Sequence, residues 1–157
     1  MYRSIRRQDR QIHRDEALAI LRQGFYGILS FMAEDGCPAG IPLNYTVDGS
    51  GEAIYFHHAP EGLLPDSLAR DPRVCFTVVA CAEALPEAFS TAYESVLARG
   101  TTVPVAGEEK REALMSLCLK HRPGGDEAAA SYVAKGIDGC IVYKITVENL
   151  CGKRRKK

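Results

Sequence analysis

A net charge is the first thing this sequence lacks, since 20 lysines and arginines face 20 aspartates and glutamates. No overall field gathers a polyanion, so nucleic acid is not expected as a partner. No apolar run approaches the roughly 20 residues that cross a bilayer, so no membrane contact is expected either. Signal-peptide character, CxxC and Cys/His pairs at zinc spacing are all missing,. The six cysteines stand alone, several in apolar runs such as "RVCFTVVAC" and "DGCIVYKI", where a thiol acts as a small buried hydrophobe,. A reducing, cytoplasmic setting is expected.

Chemical signatures are equally sparse. GxGxxG and GxxxxGK[ST] do not occur, which removes the usual glycine-rich phosphate cradles,. The four histidines form neither HxH nor HxxxH, so no metal site is expected,. Ser30, Ser67, Ser90 and Ser95 have no GxSxG elbow around them, and Glu108 and Glu109 head a predicted helix, where negative charge is favoured locally,. Catalysis by the protein's own groups has no obvious owner. That leaves a binding module, or an enzyme whose chemistry belongs to a cofactor.

What is present reads as one soluble globular domain over residues 1–157, with 46% hydrophobic and 25% charged residues and no internal repeat or long linker,. "RDEALAILRQG" predicts a short helix capped by Asp15, striped by Ala17, Leu18, Ile20 and Leu21, and stopped at Gly24, which suits a left-handed cap,. "EDG" and "DGSG" then break three strand-like runs, the middle one placing Ile41, Leu43, Tyr45 and Val47 on one face,. A helical turn near Asp66–Arg70, a compact strand "RVCFTVVAC" and a longer one "FSTAYESVLARGTTVPV" follow. Next come a helix with Leu114, Leu117, Cys118 and His121 on one face, a second helix capped by Asp126 and closed at Gly136, and a last strand "CIVYKITVENL" with Ile141, Tyr143, Ile145 and Val147 on one side,. Many strands with short turns argue for a mainly β protein with peripheral helices, built as a small antiparallel barrel. Basic residues cluster at both ends (Arg3, Arg6, Arg7, Arg10 and Arg14; Lys153 to Lys157) and read as solvated tails,.

His57 and His58 stand at the end of a strand in "YFHHAPEGLL". Strand alternation sends the two side chains to opposite faces, so they are no ready-made metal pair. The ordinary alternative for either is a satisfied structural histidine.

Taken in order, "GFYGILSFMAEDGCPAGIPLNY", "IYFHHAPEG", "DPRVCFTVVA", "AYESVLARG" and "CGK" resemble the successive blocks of the nitroimidazole-resistance-type flavoproteins, within the split-barrel superfamily of pyridoxamine-phosphate oxidase. The likeness runs from about Arg6 to Lys153, and the prefix "RSIRRQDRQI" shares that family's basic start. The resemblance implies a six-stranded antiparallel split β-barrel of Greek-key type, and a homodimer with FMN held between subunits. It places the backbone of Pro42, Leu43, Asn44 and Tyr45 along the flavin ring, His57, His58 and Ala59 near the ribityl chain and phosphate, and Tyr93, Ser95 and Lys153 beside the same groove. Pro42 suits this role because it removes a ladder donor at a strand edge.

One departure stands out. Relatives usually carry a lysine shortly after the glycine of this loop, but this chain reads "EGLLP". A flavin phosphate needs a cation or several N–H donors. The expected replacement is a nest of backbone N–H groups from Glu61, Gly62, Leu63 and Leu64, a donor from His57 or His58, and charge from Lys153, Arg99 or Arg70. The competing reading makes the segment a plain strand-to-helix connection, with Pro65 at the first helical position and Leu64 and Leu68 packed inward. The leading expectation is an FMN-dependent oxidoreductase that passes electrons from NAD(P)H to a small-molecule acceptor, with nitroaromatics a candidate class and His57 or His58 as a proton donor. The alternative is a non-catalytic flavin- or haem-binding protein in which one histidine ligates iron. A true pyridoxamine-phosphate oxidase fits less well, because the arginine-bearing C-terminal substrate motif is replaced by "CGKRRKK".

Overall fold

Residues 5–156 are described by the computed structural model. Within them, four α-helices flank one sheet of eight strands, every pair antiparallel. In chain order the elements are β1 (Gln11–Ile12), α1 (Arg14–Gln23), β2 (Tyr26–Met32), β3 (Pro38–Asn44), β4 (Thr46–Val47), β5 (Ala53–His58), α2 (Leu63–Arg70), β6 (Arg73–Leu85), β7 (Ser90–Val105), α3 (Gly107–His121), α4 (Asp126–Gly136) and β8 (Ile141–Arg155). The strand order is β3-β2-β6-β7-β8-β5-β4, with β1 added on β8. Its two ends, β3 and β4, are joined through Tyr45 alone, so the sheet has to curl to bring the end of β3 beside the start of β4, while the rest of the β3 edge stays unpaired. Six strands are long and match the expected split barrel; β1 and β4, of two residues each, are additions to it.

The barrel interior holds the larger core. Leu21, Leu29, Tyr45, Ile54, Phe56, Phe76, Val78, Val96 and Ile145 are all fully buried there, and the expected α1 stripe of Ala17, Leu18, Ile20 and Leu21 packs among them. A second cluster of Ala113, Leu114, Leu117, Val133 and Val142 lies where α3 and α4 cover the sheet. The predicted face of α3 holds in part: Cys118 packs against this cluster, whereas His121 is exposed and meets the Phe25 ring edge-on at 4.6 Å.

Several local expectations change for identifiable reasons. α1 is capped by His13 rather than Asp15, because the Glu16 carboxylate accepts from the His13 N–H at 3.2 Å and closes a capping box,. Gly24 is not left-handed (φ −59°, ψ 136°). It is needed for space instead, since an added Cβ would lie 2.5 Å from both Tyr45 Oη and Val78 Cγ1. α2 begins at Leu63, which makes Pro65 its third residue, and Gly125 rather than Asp126 caps α4. β6 continues past Cys81 to Leu85 through an irregularity at Val79–Cys81, pairing with β7 throughout.

All six cysteines are free and none is fully buried; Cys75, Cys81 and Cys151, on β6 and β8, fall on the outward face of their strands. Among the described residues, part of each basic end is built into the fold rather than left as a solvated tail. β8 runs on to Arg155 beside β7, β1 pairs with it at Gln11↔Lys153 and Ile12↔Gly152, and Arg154 bridges Glu16 and Glu94. Arg3 and Lys157 lie outside the described residues.

Candidate functional site

β3 is an edge strand, bonded only to β2. Its pleat turns Ala39, Ile41 and Leu43 toward the core and leaves Pro42 and Asn44 exposed, with Tyr45 fully buried at the end. Of the four residues expected along a flavin ring, then, Leu43 and Tyr45 offer only backbone, while Pro42 and Asn44 also offer side chains. Register carries the outward face across the sheet as one row: Pro42 opposite Ile28, Ile28 opposite Thr77, Thr77 opposite Leu97, Leu97 opposite Cys151. Tyr26, Ile28, Met32 and Val79 are exposed large apolar residues on β2 and β6.

The two histidines diverge, as alternation requires. His57 joins Leu114, Leu117, Cys118 and Val133 around a 230 Å³ pocket under α3 and α4. The walls of that pocket, and to a lesser degree the charge of His58, push its pKa below 6.5, although the residue keeps an open side to solvent. His58 is half-buried at the loop, with Nδ1 3.0 Å from the Ala59 carbonyl oxygen. Ala59 and Glu61 are exposed.

Gly62 caps α2 at φ 110° and ψ −175°, a conformation essentially reserved for glycine,. An added Cβ there would meet nothing within 4 Å, so the backbone corner is open. Leu64 and Leu68 are buried in the barrel core, as the plain-connection reading requires, whereas Leu63 is half exposed. Burial of the Leu64 side chain does not consume its N–H. At a helix start the first N–H groups have no partner within the helix, and the positive end of the dipole lies there. The corner therefore fits a phosphate through backbone donors, with the cation still to be supplied.

The three candidate cations are dispersed. Arg70, at the far end of α2, donates to the Glu34 carbonyl oxygen, and Arg99 lines a groove with Ser30, Cys75, Thr101 and Glu148. Lys153 sits opposite Ser95, and Arg155 opposite Tyr93, so Tyr93, Ser95 and Lys153 do share a neighbourhood. That neighbourhood is remote from the histidines along the sheet. His58 pairs with Ile141 at the start of β8, and Lys153 stands roughly 40 Å of strand contour further on at about 3.3 Å per residue. One chain therefore spreads the expected residues over two places.

Sequence reasoning missed what the β1–β8 pairing does to the chain ends. Arg7, Arg10, Arg154, Arg155 and Lys156 line one cleft of about 540 Å³. Arg7 is held by Asp9, whose carboxyl falls to about 2 beside that guanidinium. No local signal marks this cleft, because its halves lie at opposite ends of the sequence. Among the described residues no three His, Cys, Asp or Glu side chains gather to hold a metal ion. None of the helices there is long and apolar enough to cross a membrane.

Comparison with known proteins adds the following. The family described as pyridoxamine 5'-phosphate oxidase matches residues 13–154. No curated protein matches the chain. Among solved structures, the fold resembles that of a candidate 5-nitroimidazole antibiotic resistance protein from Bacteroides thetaiotaomicron, at 23% identity and TM-score 0.74, covering 91% of this chain and 85% of that one. It also resembles the flavocytochrome Anf3 from Azotobacter vinelandii, at 20% identity and TM-score 0.81, covering 98% and 73%. A protein from Mycobacterium smegmatis that binds FAD and haem is similar at 18% identity and TM-score 0.80, covering 94% and 74%.

Proposed function

The chain belongs to the pyridoxamine 5'-phosphate oxidase family, and from that premise we propose that it is an FMN-dependent oxidoreductase of the nitroimidazole-resistance type, acting as a homodimer. Its electrons come from NAD(P)H and go to a small acceptor, with nitroaromatics the class to try first. The observation that carries this reading is the free edge of β3, with Pro42 and Asn44 exposed and Pro42 contributing no N–H to compete with a ring lying along it,.

The backbone of Pro42–Tyr45 would hold the ring, and the open corner at Glu61, Gly62, Leu63 and Leu64 would hold the phosphate. A bound flavin supplies hydride and single-electron transfer. His58, beside that corner, is the better placed proton donor. His57 is turned to the α3–α4 pocket, where burial lowers its pKa and so disfavours the protonated form that a donor needs. Tyr93, Ser95 and Lys153 gather near the end of β8 opposite to Ile141, the residue that pairs with His58. They would serve the partner's flavin in a site built from two copies.

Freshly purified protein should show flavin absorption, and FMN added to apoprotein should lose fluorescence saturably. With NAD(P)H and a nitroimidazole, the bound flavin should cycle. Colourless protein with no response to FMN at tens of micromolar (a typical KM-range concentration, roughly) would reject the reading.

A second reading, a non-catalytic flavin or haem binder, draws support from the likeness to the flavocytochrome and to the FAD- and haem-binding protein. The His57 pocket of 230 Å³ is smaller than the roughly 300–1,000 Å³ of most ligand sites, so haem there would require α3 and α4 to part. A Soret band lost only on replacing one histidine, with no NAD(P)H turnover, selects this reading.

A further inference from the structure

A different cavity carries charge that the flavin reading does not use. Between the end of α1, β4 and α3 lies a space of about 640 Å³, well within the usual range of roughly 300–1,000 Å³ for small-molecule sites. Lys120 forms part of its wall. The Lys120 ammonium is half-buried, donates to the Tyr45 carbonyl oxygen at 3.0 Å, and stands 3.8 Å from the centroid of the Tyr45 ring. An ammonium has three donors and a full charge. One carbonyl and a ring face satisfy part of this, and among the described residues no carboxylate pairs with it. Burial pushes its pKa down to about 8, the signature of a cation short of compensation,.

The rest of the wall says what would compensate it. Arg22 is exposed at the rim and spends one N–H on the Gly49 carbonyl oxygen at 2.7 Å. Arg111 is matched by Glu108, three residues before it on α3. Glu112 also lines the cavity, so three cations stand against two acids and the local balance is a single positive charge. Val47, Met115 and Leu119 supply apolar wall. The Thr46 and Ser116 hydroxyls, 2.7 Å apart, satisfy one another. A polyphosphate would meet too little charge and too much carbon here.

We propose that this cavity binds an amphipathic organic monoanion, with its carboxylate on Lys120 and Arg22 and its apolar body on Val47, Met115 and Leu119. The charge-assisted bonds complete the ammonium, and the apolar contacts discriminate against small inorganic anions. Because Lys120 grips the carbonyl of Tyr45, the residue joining β3 to β4, the ligand would sit one residue from the exposed Asn44.

Calorimetric titration of the full chain with benzoate, benzyl alcohol and inorganic phosphate tests this, and requires no redox activity. Benzoate should bind saturably, and the other two at least about tenfold more weakly. Lys120→Met should weaken benzoate by about tenfold or more. Failure of benzoate to saturate, equal binding of benzyl alcohol or phosphate, or unchanged binding by Lys120→Met would each overturn the proposal. If that variant does not fold, acetic anhydride labelling of the wild-type chain, read by peptide mass, replaces it. Benzoate should then protect Lys120 but not Lys135 on α4, and equal labelling of Lys120 with and without benzoate overturns the proposal.

Discussion

Tyr45 ties α1, β6 and α3 to the link between β3 and β4. Its hydroxyl donates to the Leu21 carbonyl oxygen at 2.5 Å, its ring meets Phe76 edge-on at 4.8 Å, and its own carbonyl accepts from Lys120. Leu21 is in the last turn of α1, where carbonyl groups have no partner within the helix,. The tyrosine hydroxyl therefore caps α1 from inside the barrel. Replacing Tyr45 by Phe leaves that buried carbonyl unpaired and should cost about 1–2 kcal/mol in urea unfolding.

Ser67 is the reverse case. Its hydroxyl is buried and has no partner among the described residues, so Ser67→Ala should be neutral or stabilising, by up to about 1 kcal/mol on the same measurement,. Lys120 predicts a pH effect of definite sign. Its pKa is about 8 when folded against 10.5 for the free group, so across that window the unfolded chain holds the extra proton. Its contribution to stability therefore rises with pH from about 8 to 10.5 and is flat below,. Tyrosines and other lysines titrate nearby, so the test is the difference between wild type and Lys120→Met, whose rise over that window should be shallower.

At the scale of elements, β7 and β8 form the spine, paired from Tyr93↔Arg155 to Val105↔Val142 with one irregularity at Arg99/Gly100. Gly100 is needed there, because a Cβ would fall 1.8 Å from the Thr146 carbonyl oxygen, a backbone atom that cannot turn aside. Gly100→Ala should destabilise the fold by about 3 kcal/mol. The end of β8 matters in the same way. Gly152 lets β8 pass close to the Ile12 and Ala17 side chains, and Arg154 ties α1 and β7 together through Glu16 and Glu94. Ending the chain after Leu150 would remove the strand that β1 and the start of β7 lie against. A clear fall in the thermal midpoint is expected, and a midpoint equal to that of the full chain would restore the tail interpretation.

For the molecule as a whole, the outward face of β2 and β6 is too apolar to be left in water comfortably. Tyr26 is 59% exposed and Val79 58%, with Ile28 and Met32 on the same face. A contiguous apolar patch of this kind marks an interaction surface. The two-copy site proposed above would use such a surface, bringing the Lys153 neighbourhood of one copy to the flavin on the other. Light scattering should give twice the 17.2 kDa of a single chain. Ile28→Asp should release monomers and, with them, flavin. A monomeric wild type, or flavin retained by separated variant chains, would count against the shared site.

Periodicity was enough to read the elements with strong local pattern: the α1 stripe, the α3 face at Leu114 and Leu117, and the long strands. Each depends on residues within a few positions of one another, and the ordered blocks from Arg6 to Lys153 likewise pointed to the split barrel. The helix caps at His13 and Gly125, the extension of β8 into the basic end and the cleft between the chain ends were not legible. The caps are settled by competition among neighbouring residues, with Glu16 turning back on His13 only three positions away, whereas the other two depend on partners that only the folded chain brings near: β1 lying on β8 and β7 pairing out to Arg155,. The same reason explains Lys120, which looks like an ordinary helix-end lysine until the barrel sets it over Tyr45, 75 residues earlier in the chain. Local propensity acts over one or two turns of chain, whereas charge compensation and packing act between residues that only folding makes neighbours.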